Sequence, residues 1–146
     1  MSLIELMIVV SIISVLALVS MPYTQSWLHE SQLNNAKSQL SRAFTEAKAL
    51  ALRNPIDAHG TQSNAACVSL KNDTLLVREP NANACSGNII WQGSWPQGVL
   101  LISNNTNLTT IFINNRGRVL INGTPANANL DYTLSKGSIN DSGQLY

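Results

Sequence analysis

At 146 residues, a formal net charge of +1 and 12% charged side chains, the chain holds one modest domain and lacks the charge excess of a polybasic nucleic-acid tail. Asn, Ser, Thr and Gln crowd the part beyond residue 54, which keeps an exported, loop-rich domain soluble without charge. The histidines His29 and His59 stand apart, and no Ser-His-Asp set, nucleophile elbow, phosphate loop or zinc-binding H-E-x-x-H occurs. The expectation is therefore no enzyme, no cofactor and no metal site.

In chain order, the first element is an apolar helix. From Leu6 to Met21 the only non-apolar residues are Ser11, Ser14 and Ser20. At about 1.5 Å per residue, Leu3 to Met21 matches the roughly 30 Å of a bilayer's hydrocarbon. The segment reads as a retained membrane anchor, because no basic flank precedes it and the helical pattern continues beyond it. Glu5 is the anomaly, since a carboxylate within such a segment costs about 3 kcal/mol and calls for a cationic partner.

Leu3-Ile4-Glu5-Leu6 followed by Met7-Ile8-Val9-Val10 resembles the N-terminus of a mature type IV pilin or type II secretion pseudopilin. The resemblance implies that a prepilin peptidase trims a precursor, that the new N-terminal residue is methylated, and that this segment drives assembly. Met1 takes the processing position, where the family usually has phenylalanine. Leu3, Ile4, Leu6 and Pro22 fall in the implied assembly segment, and Glu5 would pair with the N-terminal amine of a neighbouring subunit. An ordinary signal-anchor helix is the alternative reading of residues 1–22.

Pro22 is expected to kink the helix rather than end it. Beyond it, Trp27, Leu33, Ala36, Leu40, Ala43, Ala47, Leu50 and Ala51 recur at mostly three- and four-residue steps, which predicts an amphipathic half over 23–54 whose apolar stripe lies under the protein's own head. Asn54-Pro55 stops it. From 55 to 146 short β-type runs alternate with turn signals. The strands expected are Ala65–Leu70, Thr74–Arg78, Ile89–Trp91, Val99–Ser103, Thr109–Asn114, Arg118–Ile121 and Asp131–Leu134. Turns fall at Asn72-Asp73, Gln97-Gly98, Arg116-Gly117 and Asn122-Gly123. Cys67 and Cys85, both in the exported part, are read as a disulfide, with two buried free thiols as the alternative. The fold class is α+β: a long N-terminal helix packed on a mainly antiparallel β head.

Trp91-Gln92-Gly93, Trp95-Pro96-Gln97-Gly98-Val99, Ile111-Phe112-Ile113 before Gly117, the helical Leu40-Ser41-Arg42-Ala43-Phe44-Thr45-Glu46-Ala47 and Cys67-Val68-Ser69-Leu70 resemble the FimT/FimU minor pilins and GspH pseudopilins. That resemblance implies a structural subunit held first in inner-membrane lipid with its head in the periplasm. It would later join other pilins in a type IV pilus or related filament. Two alternatives stay open: a secretion pseudopilin, and a DNA-binding minor pilin for natural transformation. For the latter, Gly117-Arg118-Val119 matches the first half of the family's G-R-x-R signature, Leu120 replaces the second arginine, and Arg116 and Arg118 are the candidate DNA contacts.

Overall fold

The computed structural model describes residues 2–60, 62–121, 124–125 and 129–146. Its first element, α1, is one continuous helix over Leu3–Arg53, 51 residues and about 76 Å long. The helical backbone passes through Pro22 without ending there; the side chain of Pro22 lies outside the described set, as does Met1. At the far end Asn54 adopts the left-handed conformation (φ 47°, ψ 54°) and donates its backbone N–H to Leu50 O. Asparagine tolerates this geometry because its short amide bonds locally. Here Oδ1 accepts from Ala58 N at 2.8 Å and Nδ2 donates to Ala58 O at 3.1 Å, so one side chain both stops the helix and clamps the turn that follows.

Among the described residues the head is built of antiparallel strands in two sheets. A six-stranded sheet has the order β3-β2-β1-β6-β7-β8, from β1 (Asn64–Lys71), β2 (Thr74–Arg78), β3 (Ile89–Ser94), β6 (Thr110–Asn114), β7 (Val119–Ile121) and β8 (Thr124–Pro125). A four-stranded sheet has the order β10-β9-β4-β5, from β4 (Leu100–Ser103), β5 (Thr106–Asn107), β9 (Leu130–Lys136) and β10 (Ile139–Leu145). The predicted Asn72-Asp73 turn joins the paired ends Lys71 and Thr74, with φ of 50° and 54° at its two residues. Positive φ at both positions is what a two-residue hairpin needs to follow the strand twist. Asn104-Asn105 does the same between Ser103 and Thr106, at 49° and 59°. The expected Asn122-Gly123 turn lies outside the described residues.

Strand β10 has no counterpart among the sequence-predicted strands. Its run Ile139-Asn140-Asp141-Ser142-Gly143-Gln144-Leu145 has almost no β-branched or aromatic residue, and local preference argues against a strand. It is extended because β9 supplies a partner for all seven positions, Ile139 opposite Lys136 through Leu145 opposite Leu130. Gly143 is needed there: a Cβ at that position would sit 2.5 Å from the Tyr132 hydroxyl and 2.6 Å from its Cζ. The tyrosine ring covers the glycine opposite it.

Both sheets face α1, and the core lies between. Leu33, Ala36, Leu40, Ala43, Ala47, Leu50 and Ala51 are buried on the helix, joined by Phe44. They meet Ala66, Val68, Leu75, Val77, Ile111 and Ile113 of the larger sheet and Leu101, Tyr132, Leu134 and Leu145 of the smaller. The alanines allow close helix-sheet approach, and Leu40 fills the space between. Trp95, 4% exposed, donates Nε1–H to Val99 O at 2.9 Å, so the indole is buried with its polar atom satisfied. One member of the expected stripe does not belong to it. Trp27 is 71% exposed, because the head reaches down the helix only to His29, whose ring lies within 3.3 Å of where a Cβ on Gly137 would stand.

Candidate functional site

The largest uncovered feature is the first half of α1. Within it, an 18-residue window meets the length and apolarity needed to cross a membrane, and none of that window is buried by the rest of the chain. Leu3, Ile4 and Leu6 are all exposed. The three serines add little polarity, since Ser11 Oγ donates to Met7 O at 2.7 Å, Ser14 Oγ to Val10 O at 2.8 Å and Ser20 Oγ to Ala17 O at 3.0 Å. Hydroxyls spent on their own helix leave an effectively apolar cylinder.

Glu5 stands exposed at the start of this cylinder, in the first turn of α1. Its Oε2 accepts the backbone N–H of Ser2 at 3.3 Å, while Glu5 N donates to Ser2 O at 3.0 Å. The carboxylate thus caps its own helix and sits at the positive end of the helix dipole. Local partners meet part of the demand for positive charge. Among the described residues Glu5 has no ion pair.

The head is tied to the second half of α1 by a strand that the sequence hid. Lys37 Nζ bonds Asp141 Oδ2 at 2.9 Å, and Lys48 Nζ donates to Tyr146 O with its ammonium 5.6 Å from the Phe44 ring centroid. Eleven helical residues and five extended ones each cover about 16 Å, so β10 runs beside α1 with both ties in step. The hydrogen bond to Asp141 is the main reason that the Lys37 pKa is raised. Burial is the main reason that the Tyr132 hydroxyl is raised too. Each group holds its proton more tightly folded than unfolded, so each contributes stability that is complete below its ordinary pKa, near 10.5 and 10.0, and is lost as pH climbs through the higher folded value. Denaturant midpoints should therefore hold level at neutral pH and fall above about pH 10. Asp141→Asn should cost at most about 1 kcal/mol at pH 7, as the pair is partly solvated, and should remove the lysine's share of the alkaline fall.

Cys67 and Cys85 form a disulfide with Cα atoms 5.8 Å apart, which folds the β2–β3 connection back over β1. Arg116 and Arg118 are both exposed, in the turn between β6 and β7. That turn is organised by buried Asn114, whose Oδ1 accepts Arg116 N–H at 3.0 Å and Arg118 N–H at 2.9 Å. Gly117 sits between them at φ +73°, a conformation that favours glycine. His59 is less isolated than its sequence position suggests, since Nε2 lies 3.2 Å from Asp57 Oδ2, with both side chains exposed. Among the described residues no His, Cys, Asp and Glu group could hold a metal ion. A groove of about 580 Å³ between the sheets is lined, among the described residues, by Asn, Ser, Thr and apolar side chains with no titratable group.

Sequence reasoning missed Asn114 and the Lys37–Asp141 pair. Nothing in the local sequence sets Lys37 apart from Lys48, which also lies between apolar stripe positions. Compared with protein-family models, curated proteins and solved structures, the chain matches none.

Proposed function

We propose that the chain is a structural subunit of a type IV pilus-like filament, a minor pilin that polymerises through the first half of α1. One observation carries this reading: a single continuous helix has its upper half roofed by the head, and among the described residues nothing covers its lower, apolar half. An ordinary anchor needs no such continuity, because a flexible linker would hold a head at a membrane equally well. In this reading the subunit waits in the bacterial inner membrane with its head in the periplasm, after a prepilin peptidase has exposed and methylated its N-terminus. It then leaves lipid for a bundle of equivalent helices. Van der Waals packing replaces lipid contacts, and Glu5 meets the N-terminal amine of a neighbour, which sets the axial register. The role is assembly rather than catalysis.

Glu5→Ala should stay in the membrane fraction, since losing the carboxylate eases insertion by about 3 kcal/mol, yet its level in sheared filaments should drop at least roughly tenfold, the equivalent of about 1.4 kcal/mol of lost pairing. Glu5→Gln should behave the same way, although its amide can still accept the Ser2 N–H. Normal incorporation of Glu5→Gln would remove charge pairing from the mechanism.

A second reading, binding of duplex DNA, is favoured by the β6–β7 turn. Two exposed guanidinium groups stand two residues apart there on a backbone fixed by Asn114, and among the described residues neither has a carboxylate partner. Two phosphate contacts give weak binding without sequence preference, with a slope of log Kobs against log salt of about −1.8. A gel-shift titration at low salt should detect it, and Arg116→Ala with Arg118→Ala should abolish it. No retarded DNA at high protein concentration would leave assembly alone.

A further inference from the structure

On the larger sheet, Val68, Val77 and Ile111 point into the core, so their strand neighbours point away from α1. Register places Ser69 opposite both Leu76 and Thr110 on that outer face, with Arg78 opposite Cys67 in the next row and Lys71 at the strand's end. The disulfide draws Cys85 and Ser86 back over this face, and Arg78 Nη1 donates to Gly87 O at 3.1 Å, closing a wall. The result is a pocket of about 370 Å³ with Ser69, Leu76 and Thr110 at its floor and Lys71, Arg78 and Ser86 around it.

Its charge is unbalanced. No carboxylate among the described residues lines the pocket, and the neighbouring Glu79 is engaged by Asn88 Nδ2 at 2.8 Å. Among the described residues Arg78 has no acidic partner, although its side chain is only partly exposed and its Nε is buried without a hydrogen-bond acceptor. A half-buried guanidinium with one carbonyl for company has lost hydration without gaining a counter-charge. Hydroxyl donors beside two cations match an anion with several acceptor oxygens, and the planar guanidinium suits two of them at once.

We infer that the pocket bounded by Lys71, Arg78, Ser69, Ser86 and Thr110 binds a small oxyanion of the phosphate or carboxylate type. The site is separate from the first half of α1 and from the β6–β7 turn, and it stands whether or not the chain polymerises.

The test is an amide NMR titration of the full chain in maltoside micelles. Inorganic phosphate and, separately, acetate are added against sodium chloride at matched ionic strength. Saturable shifts of the Ser86 and Thr110 amides are expected with phosphate. Lys71→Gln should weaken the affinity about fivefold and Arg78→Gln at least tenfold, while Arg53→Gln, a cation on the helix, should leave it unchanged. Saturation by acetate as well supports a carboxylate ligand; saturation by phosphate alone supports a tetrahedral one. Arg78 also holds Gly87, so Lys71→Gln and Ser86→Ala keep the test decisive if Arg78→Gln misfolds. Shifts that never saturate, or an affinity equal in wild type, Lys71→Gln and Ser86→Ala, overturn the site.

Discussion

A variant lacking residues 1–28 stays soluble and folded in plain buffer, whereas the full chain requires detergent or lipid. Between Leu3 and Val19, thirteen large apolar side chains are exposed, and covering them in lipid or in a helix bundle is worth on the order of 20 kcal/mol, at about 1.5 to 3 kcal/mol for each side chain fully buried. No soluble monomer sustains that exposure, as contiguous apolar patches on monomers seldom exceed a few hundred Å². The head loses nothing by the cut, because its helical contribution to the core begins at Leu33 and its lowest contact is His29 against Gly137. The cut also removes Trp27 and Leu28, which are exposed beside the head. Size-exclusion chromatography and circular dichroism check the result. Aggregation of the shortened variant, or a monodisperse full chain in detergent-free buffer, would reverse the assignment of the stem.

Replacing Cys67 and Cys85 together with serine lowers stability by about 3 kcal/mol on the loop-entropy account, which for a head of about a hundred residues moves the thermal midpoint down by roughly 10 to 20 °C. The bridge spans eighteen positions and is the only covalent tie on the β2–β3 connection. What remains is a set of backbone and side-chain bonds, Glu79 N–H to Asn88 O at 3.1 Å, Gly87 N–H to Glu79 O at 3.0 Å, Arg78 Nη1 to Gly87 O and Asn88 Nδ2 to Glu79 Oε2. These keep β2 and β3 in register, so the reduced head still folds at low temperature while the wall of the oxyanion pocket loosens. Melting curves of the oxidised and reduced wild type, beside the double variant, measure the effect. Coincident oxidised and reduced curves would show that the bridge contributes no stability.

The sequence alone determined those parts of this protein whose physics is local. A run of apolar residues from Leu6 to Met21 broken only by serines has one stable form in lipid or in a bundle, a helix. The stripe Leu33 to Ala51 repeats at helical spacing, and Asn54-Pro55 favours a helix end, which Asn54 makes by turning left-handed. The Asn72-Asp73 hairpin was legible because its residues tolerate positive φ. A disulfide between Cys67 and Cys85 was the expected reading of two cysteines in one chain, and the structure bears it out.

The tertiary structure decided what depends on partners far away in the chain. Strand β10 has the composition of a loop and is held extended by β9 and by Lys37 of the helix, 104 residues earlier. Trp27 fits the stripe by spacing yet lies outside the core, because spacing does not say where the head ends. The backbone of Arg116 and Arg118 is held by Asn114, an ordinary asparagine until the hairpin closes around it. The oxyanion pocket draws on β1, β2, β6 and a loop folded back by a disulfide, and no pattern along the chain marks residues that only sheet register brings together.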